Sequence, residues 1–530
     1  MKQFLSRYYT FAVIALWAVL CFVFFQFFYS YHFFYKEQSQ VFLLTWNHAA
    51  SYFERPAWLA CLAGDFLTQF YYYLYAGAVI LTFVLLTMGD LMRRGLQQAG
   101  IGKNWAFWIA ILAITLEAVC HLRVSYHLSS TIALTGGAAI FFIGGWMLKK
   151  QNWLTVVYII GATMLSYWMF GIGVWIFAIL LLIWSNPVEW VKKPMKWAKI
   201  AGFIPLIFVP LIIAVGRNTY LLTPHDALTY PGIGKMGKPD FILENDFAVD
   251  NEYNWGNYNR VEQLVEQSKD RTYEMLFFYN LIQAQKGLLP DKLLQFYPNE
   301  LGTFYRIGPS TPRLIINNMN ELYWALGDIT FTERAALMKS VFSPQNRDVR
   351  MLKRLAECNI VSGDTAAAEK YLRILDNTLA YRKWAKAARI DANGHYREKR
   401  ALANRKDTIA LTDNAHFIMM QLLDSNPDNT AALDYILCSD LLLKDIANFK
   451  RDYDRYCENI GRPRPKKIYQ EALCIWLAGS NAPAEEWQRY IVREDVIQQF
   501  KAYNMQRGST RFSDTYWYYF DKRKAPKPEE

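Results

Sequence analysis

Residues 153–185 read WLTVVYIIGATMLSYWMFGIGVWIFAILLLIWS, without one Asp, Glu, Lys, Arg or His. A hydrocarbon layer roughly 30 Å thick is crossed by about 20 apolar residues of helix. The stretch exceeds one ordinary span and is broken near Met169-Phe170-Gly171-Ile172-Gly173. It reads as a tight hairpin of two short spans, 153–168 and 170–185. A single kinked, tilted helix is the alternative and would change the parity of the chain. Working outward, further apolar runs fall at 8–29, 71–92, 105–121, 128–148 and 197–215, which makes about seven spans.

Charge decides the parity. The chain carries 58 Lys and Arg against 47 Asp and Glu, and the excess sits in short clusters between the apolar runs. These are Arg93, Arg94 and Lys103, then Lys149 and Lys150, then Lys192, Lys193, Lys196 and Lys199. Basic residues concentrate in cytoplasmic loops. With Lys2 and Arg7 inside, seven spans put every cluster in the cytoplasm and leave Lys36, Arg55 and Arg123 outside. Six spans would strand either Lys149-Lys150 or the 192–199 cluster. The reading is a multi-pass bacterial inner-membrane protein with a cytoplasmic N-terminus and a periplasmic C-terminal domain. Clusters of this kind do not build a groove that tracks phosphates, so nucleic acid is excluded as a partner. The first run is too long for a signal-peptide core and ends in Phe27-Phe28-Tyr29-Ser30-Tyr31, without a small-residue cleavage pattern.

The fold class is all-α: a transmembrane bundle over 1–216 followed by a helical-repeat domain. Within the first part, the outer loop 30–70 contains Val41-Phe42-Leu43-Leu44-Thr45-Trp46 and Trp58-Leu59-Ala60-Cys61-Leu62. These runs are too short to span and suit helices lying in the interface. Residues 217–240 read as a linker rich in Pro and Gly. They hold a G-x-G-x-x-G at Gly232, Gly234 and Gly237, but Pro231 and Pro239 flank it, so the dinucleotide context of a strand before and a helix after is absent.

Residues 241–505 read as helical hairpins. A helix, a Gly-Asp turn and a second helix recur at Gly327-Asp328 and Gly363-Asp364, more loosely at Gly287 and around Asn429 to Tyr453. Turn glycines 30 to 40 residues apart match a degenerate tetratricopeptide-like α-solenoid. The tail 506–530 begins with an aromatic run, Phe512 to Phe520. It reads as a cap on the last hairpin, or else as a partner-binding or membrane-touching motif. The seven cysteines are scattered without a C-x-x-C, which favours buried thiols over any pairing the sequence can assign. Ala133, Gly137, Gly144 and Gly145 suit close helix packing in the fourth span.

Ionisable residues beside a span are costly and therefore candidates for function. Glu37 follows the first span and Asp65 precedes the second. Glu117, His121, Arg123 and His127 gather at the outer end of the third, Glu117 and His121 on one helical face. A carboxylate beside His or Arg at a water–lipid boundary can act as a general base while the Arg holds a phosphate. The same residues read equally as a structural network closing the helix ends. No cofactor motif is present, and Glu117, His121 and His127 fit no tight metal-ligand spacing.

Two resemblances follow. Glu37-Gln38 through Phe42-Leu43-Leu44-Thr45, with Arg55-Pro56 and Phe66-Leu67-Thr68-Gln69-Phe70, resembles an uncharacterised family of bacterial polytopic membrane proteins with a helical-repeat C-terminus. The order of a first span, a long outer loop with an early acidic residue, further spans and a periplasmic domain is similar to the membrane module of GT-C glycosyltransferases. That likeness implies transfer of a sugar from a polyprenyl-phosphate carrier, with Glu37 in the position of the catalytic acidic residue. The candidate site is then Glu37 and Asp65 as catalytic carboxylates, with Glu117, His121, Arg123 and His127 binding the substrate. The chain departs from those enzymes in having Lys36-Glu37-Gln38 where they carry an Asp-rich pattern. It also lacks a basic residue in the hairpin around Tyr167-Trp168. The alternative function is a membrane-tethered scaffold whose solenoid binds a periplasmic protein.

Overall fold

The computed structural model describes residues 2–185, 197–296, 313–343, 348–390, 394–403, 414–458 and 466–525. Lys192, Lys193 and Lys196 lie outside them. Among the described residues every regular element is a helix. Contacts divide the chain into two compact units: Met1–Glu244 with Ile374–Ala385, and Asn245–Arg373 with Lys386–Glu530.

The first unit is that of a multi-pass membrane protein. Among the described residues, six of its helices are long and apolar enough to cross a bilayer: Tyr9–Phe28, Ala76–Gln98, Lys103–Cys120, Leu128–Lys150, Trp153–Phe170 and Ala201–Thr219. About seven were expected. The remaining one, Gly173–Ser185, is a 13-residue apolar helix, short of the roughly 20 residues a perpendicular span needs. The uncharged stretch is therefore two helices and not one kinked helix. Gly171 makes the break at φ +50, and a Cβ there would lie 2.2 Å from the Tyr230 carbonyl oxygen. Left-handed backbone with no room for a side chain calls for glycine.

The small residues of the fourth span do the packing expected of them. A Cβ on Gly137 would sit 1.9 Å from the Gly173 carbonyl oxygen, and one on Gly144 would meet the Tyr158 hydroxyl at the same distance. Backbone-to-backbone approach of this kind supplies dispersion contact where no hydrophobic drive between helices exists.

The first loop is mostly helical: Tyr31–Gln38, Trp46–Ala50 and Trp58–Thr68. Thr45 caps the second of these by accepting from the His48 amide at 3.3 Å. The third lies against the helix Leu128–Ile143, and a Cβ on Gly64 would come within 2.7 Å of Ser129. Trp58, Phe53 and Trp168 form one ring cluster, with Trp58 5.6 Å from Trp168.

The breaker-rich segment after the last long apolar helix is strapped to this same unit. The Tyr230 carbonyl accepts from Ile172 N at 2.8 Å, and the Ala227 carbonyl from the Tyr167 hydroxyl at 3.1 Å. Gly234 and Gly237 lie where a Cβ would strike Cys120 and Leu122, so these glycines serve close packing on the third span. The amide of Leu44 donates to the Asn377 carbonyl at 2.7 Å, which ties residues 374–385 to the first loop.

The second unit is an array of antiparallel helix neighbours. Arg313–Leu326 packs on Ile329–Phe342, and that helix on Val349–Ser362. Gly327 and Gly363 end their helices at φ +81 and +84, the left-handed C-terminal position glycine favours. Asp328 and Asp364 follow and accept from the amides of Phe331 and Ala367, capping the next helices. The C-terminal aromatic run packs within this unit. Tyr516 and Trp517 are buried, their polar tips donating to the Leu441 carbonyl and the Glu471 carbonyl at 2.8 Å each. All seven cysteines are free thiols and buried.

Candidate functional site

In the first unit a chain of buried polar groups closes one end of the bundle. Glu117 comes in the last turn of Lys103–Cys120, and its Oε1 accepts from the Tyr126 hydroxyl at 2.5 Å and from Thr131 Oγ1 at 2.7 Å. His121 Nε2 is 2.7 Å from the same Thr131 oxygen. Thr131 has one proton and gives it to Glu117, so its oxygen accepts and the His121 proton sits on Nε2. Glu117 and His121 are thus joined through Thr131 within one chain of hydrogen bonds.

Beside it lies a second set from the helix Tyr31–Gln38. Lys36 Nζ donates to the Tyr126 carbonyl at 2.8 Å and is buried. His32, wholly buried, has no hydrogen bond on either ring nitrogen, and the Glu244 Oε2 is 3.7 Å away. The other oxygen of Glu244 accepts from the Tyr31 amide at 2.5 Å. Burial dominates the titration of all these groups, because a low-dielectric site disfavours the charged form. It brings Lys36 down to about 7 and lifts Glu244 to about 8. Burial, with the nearby Lys36 charge, holds His32 and His121 well below the usual histidine range.

The candidate carboxylates sit apart from these chains. Glu37 is buried, and its Oε2 accepts from the Tyr381 hydroxyl at 3.0 Å. Asp65 is half-buried, its Oδ2 accepting from the Tyr52 hydroxyl at 2.7 Å. Arg55 lies 4.3 Å over the Tyr52 ring and reaches the Tyr230 hydroxyl at 3.4 Å. Arg123 is exposed and donates from Nε to the Met236 carbonyl at 3.2 Å; His127 is exposed at the start of its helix. Of the six candidates, only Glu117 and His121 share one hydrogen-bonded chain among these bonds.

An apolar pocket of about 550 Å³ opens in the first loop, lined by Phe42–Trp46 and by Ala49, Leu59, Leu62, Ala63 and Phe66. Leu59, Leu62, Ala63 and Phe66 recur at the spacing of one helical face. Asp65 sits at the edge of that face.

The second unit holds a different cluster. His416, Asp440 and Asp452, from three successive helices, each offer one ligand atom, all within 4.8 Å of one another. This buried His/Asp group has the donors to chelate a metal ion.

One family model, described as a family of unknown function (DUF6057), matches residues 6–523. The chain belongs to this family. No curated protein and no solved structure matches it.

In this DUF6057 chain, sequence reasoning missed His32, Lys36, Glu244 and Tyr381, and also the His416 cluster. The i, i+4 pair His32 and Lys36 was a usable signal for one shared face. Nothing local links either to Glu244, and His416, Asp440 and Asp452 stand 24 and 12 residues apart, outside any ligand motif.

Proposed function

We propose that this protein binds the hydrocarbon chain of a membrane lipid in the pocket of its first loop, and that the lipid is a polyprenyl-phosphate carrier. The observation that carries the reading is the pocket itself. Ligand cavities run from about 300 to 1,000 Å³, and this one is walled by aliphatic and aromatic side chains on a loop packed against membrane helices. Leu44, Trp46 and Phe66 on its wall are exposed, so an apolar chain arriving from the bilayer meets an apolar entrance. Glycosyl transfer from such a carrier is the reaction the architectural likeness implies. Asp65 is the carboxylate beside the pocket wall, and the Tyr52 hydroxyl holds it. Glu37 serves instead as the anchor for Tyr381.

The test is photo-crosslinking in nanodiscs with a diazirine-bearing polyprenyl phosphate. Labelling should concentrate in residues 42–66 and fall at least fivefold in Ala63→Trp, whose indole fills the cavity. Labelling spread evenly over the long apolar helices, and indifferent to Ala63→Trp, would sink the reading.

A further inference from the structure

We propose that His416, Asp440 and Asp452 bind a divalent first-row transition-metal ion of the zinc class, and that Arg451 is the cation this ion displaces. The site lies wholly in the second unit and does not depend on the lipid reading. One imidazole nitrogen with two carboxylate oxygens is a donor set that zinc, manganese, iron and cobalt accept. Three protein ligands leave a coordination position for water.

Two further observations point to a ligand there. Arg451 Nη2 lies 3.3 Å from His416 Nε2 in hydrogen-bonding geometry. A guanidinium has no acceptor, so it must donate, and Nε2 presents a lone pair. A metal ion takes the neutral form of an imidazole. Asp452 is fully buried, and its Oδ2 stands 2.9 Å from His416 Nε2. A carboxylate oxygen facing a nitrogen lone pair at that distance, out of water, is unfavourable without a cation near both.

Arg451 meets part of the need, donating from Nε to Asp452 Oδ1 at 3.0 Å. Its side chain is 56% exposed, against 0% for Asp452, so the guanidinium can swing into water without leaving a buried gap. Two carboxylates neutralise a dication, which makes Arg451 surplus once the ion is bound. His416, at 17% exposure, provides the way in from solvent.

The experiment uses the full chain in detergent, stripped with chelator and titrated with cobalt(II), whose visible ligand-field bands report nitrogen and oxygen coordination. One equivalent should bind. His416→Gln and Asp452→Asn, checked as folded by circular dichroism, should each weaken binding at least tenfold. Arg451→Gln, at an exposed position, should tighten it severalfold. No stoichiometric uptake by the unaltered chain overturns the proposal. So do bands that survive in both ligand variants, or an affinity that Arg451→Gln leaves unchanged or weakens.

Discussion

The Tyr381 hydroxyl donates to Glu37 Oε2 at 3.0 Å across 344 residues of sequence, within the same compact unit. The Tyr381 ring meanwhile rests 5.4 Å from the Tyr72 ring, edge to face. A residue far down the chain therefore fixes the carboxylate that follows the first span. Tyr381→Phe keeps the ring contact and removes one donor from a buried acceptor, which costs about 1–3 kcal/mol. Unfolding of the detergent-solubilised chain should show that loss. Tyr381→Ala, which also removes the ring contact, should lose more.

Gly137 and Gly161 form a matched pair. Both lie in long apolar helices, but a Cβ on Gly137 would stand 1.9 Å from the Gly173 carbonyl, while one on Gly161 meets nothing within 4 Å. Gly137→Ala should force the helices apart, at a cost of about 1–3 kcal/mol or more. Gly161→Ala should be neutral or slightly stabilising, since alanine is the better helix former. Thermal aggregation temperatures of the two purified variants decide it.

Glu244 makes stability fall as pH rises. Its folded pKa, lifted by burial to about 8 from an ordinary 4.5, means the folded chain holds a proton that the unfolded chain has lost. Stability linked to this group is complete below about 4.5 and is lost as pH climbs to about 8. His32 and His121, held neutral, act in the opposite sense below about 6.5, and Lys36 does so between about 7 and 10.5. The clean readout is therefore a difference. Relative to Glu244→Gln, the unaltered protein should lose stability steadily from pH 5 to pH 8 in denaturation series. A flat difference would show that Glu244 titrates normally.

Arg350 in the second unit sits between Asp250 at 2.9 Å and Glu321 at 3.1 Å, all three almost wholly buried. Asn318 also donates to Asp250 Oδ1, at 2.9 Å. Arg350→Met leaves Asp250 buried without its cation, while Glu321 keeps Arg354 at 2.6 Å, and should cost about 3–5 kcal/mol. Asp250→Asn, which removes one charge and keeps the shape, should cost less. Chemical denaturation monitored on the second unit's tryptophans distinguishes them.

Much of the architecture was legible from composition. Runs of 20 apolar residues force helices, because lipid offers the backbone no hydrogen-bond partner. The glycines after Leu326 and Ser362 marked helix ends, because only glycine enters left-handed backbone there without cost. The break near Met169 to Gly173 was legible too, and the uncharged stretch forms the two helices Trp153–Phe170 and Gly173–Ser185. Hydropathy alone does not fix the length of the second helix, which Gly171, at φ +50, and the packing after it leave at 13 residues.

What the sequence by itself determined is the all-α class, the long apolar spans and the place of Glu117 and His121 on one helical face, one turn apart. These are local consequences of period and hydropathy. Tertiary structure alone decided that Tyr381 caps Glu37, that Glu244 meets His32, and that His416, Asp440 and Asp452 converge. Each of these joins residues from separate helices. Their meeting is set by how whole helix faces pack, and no rule of local spacing encodes that packing.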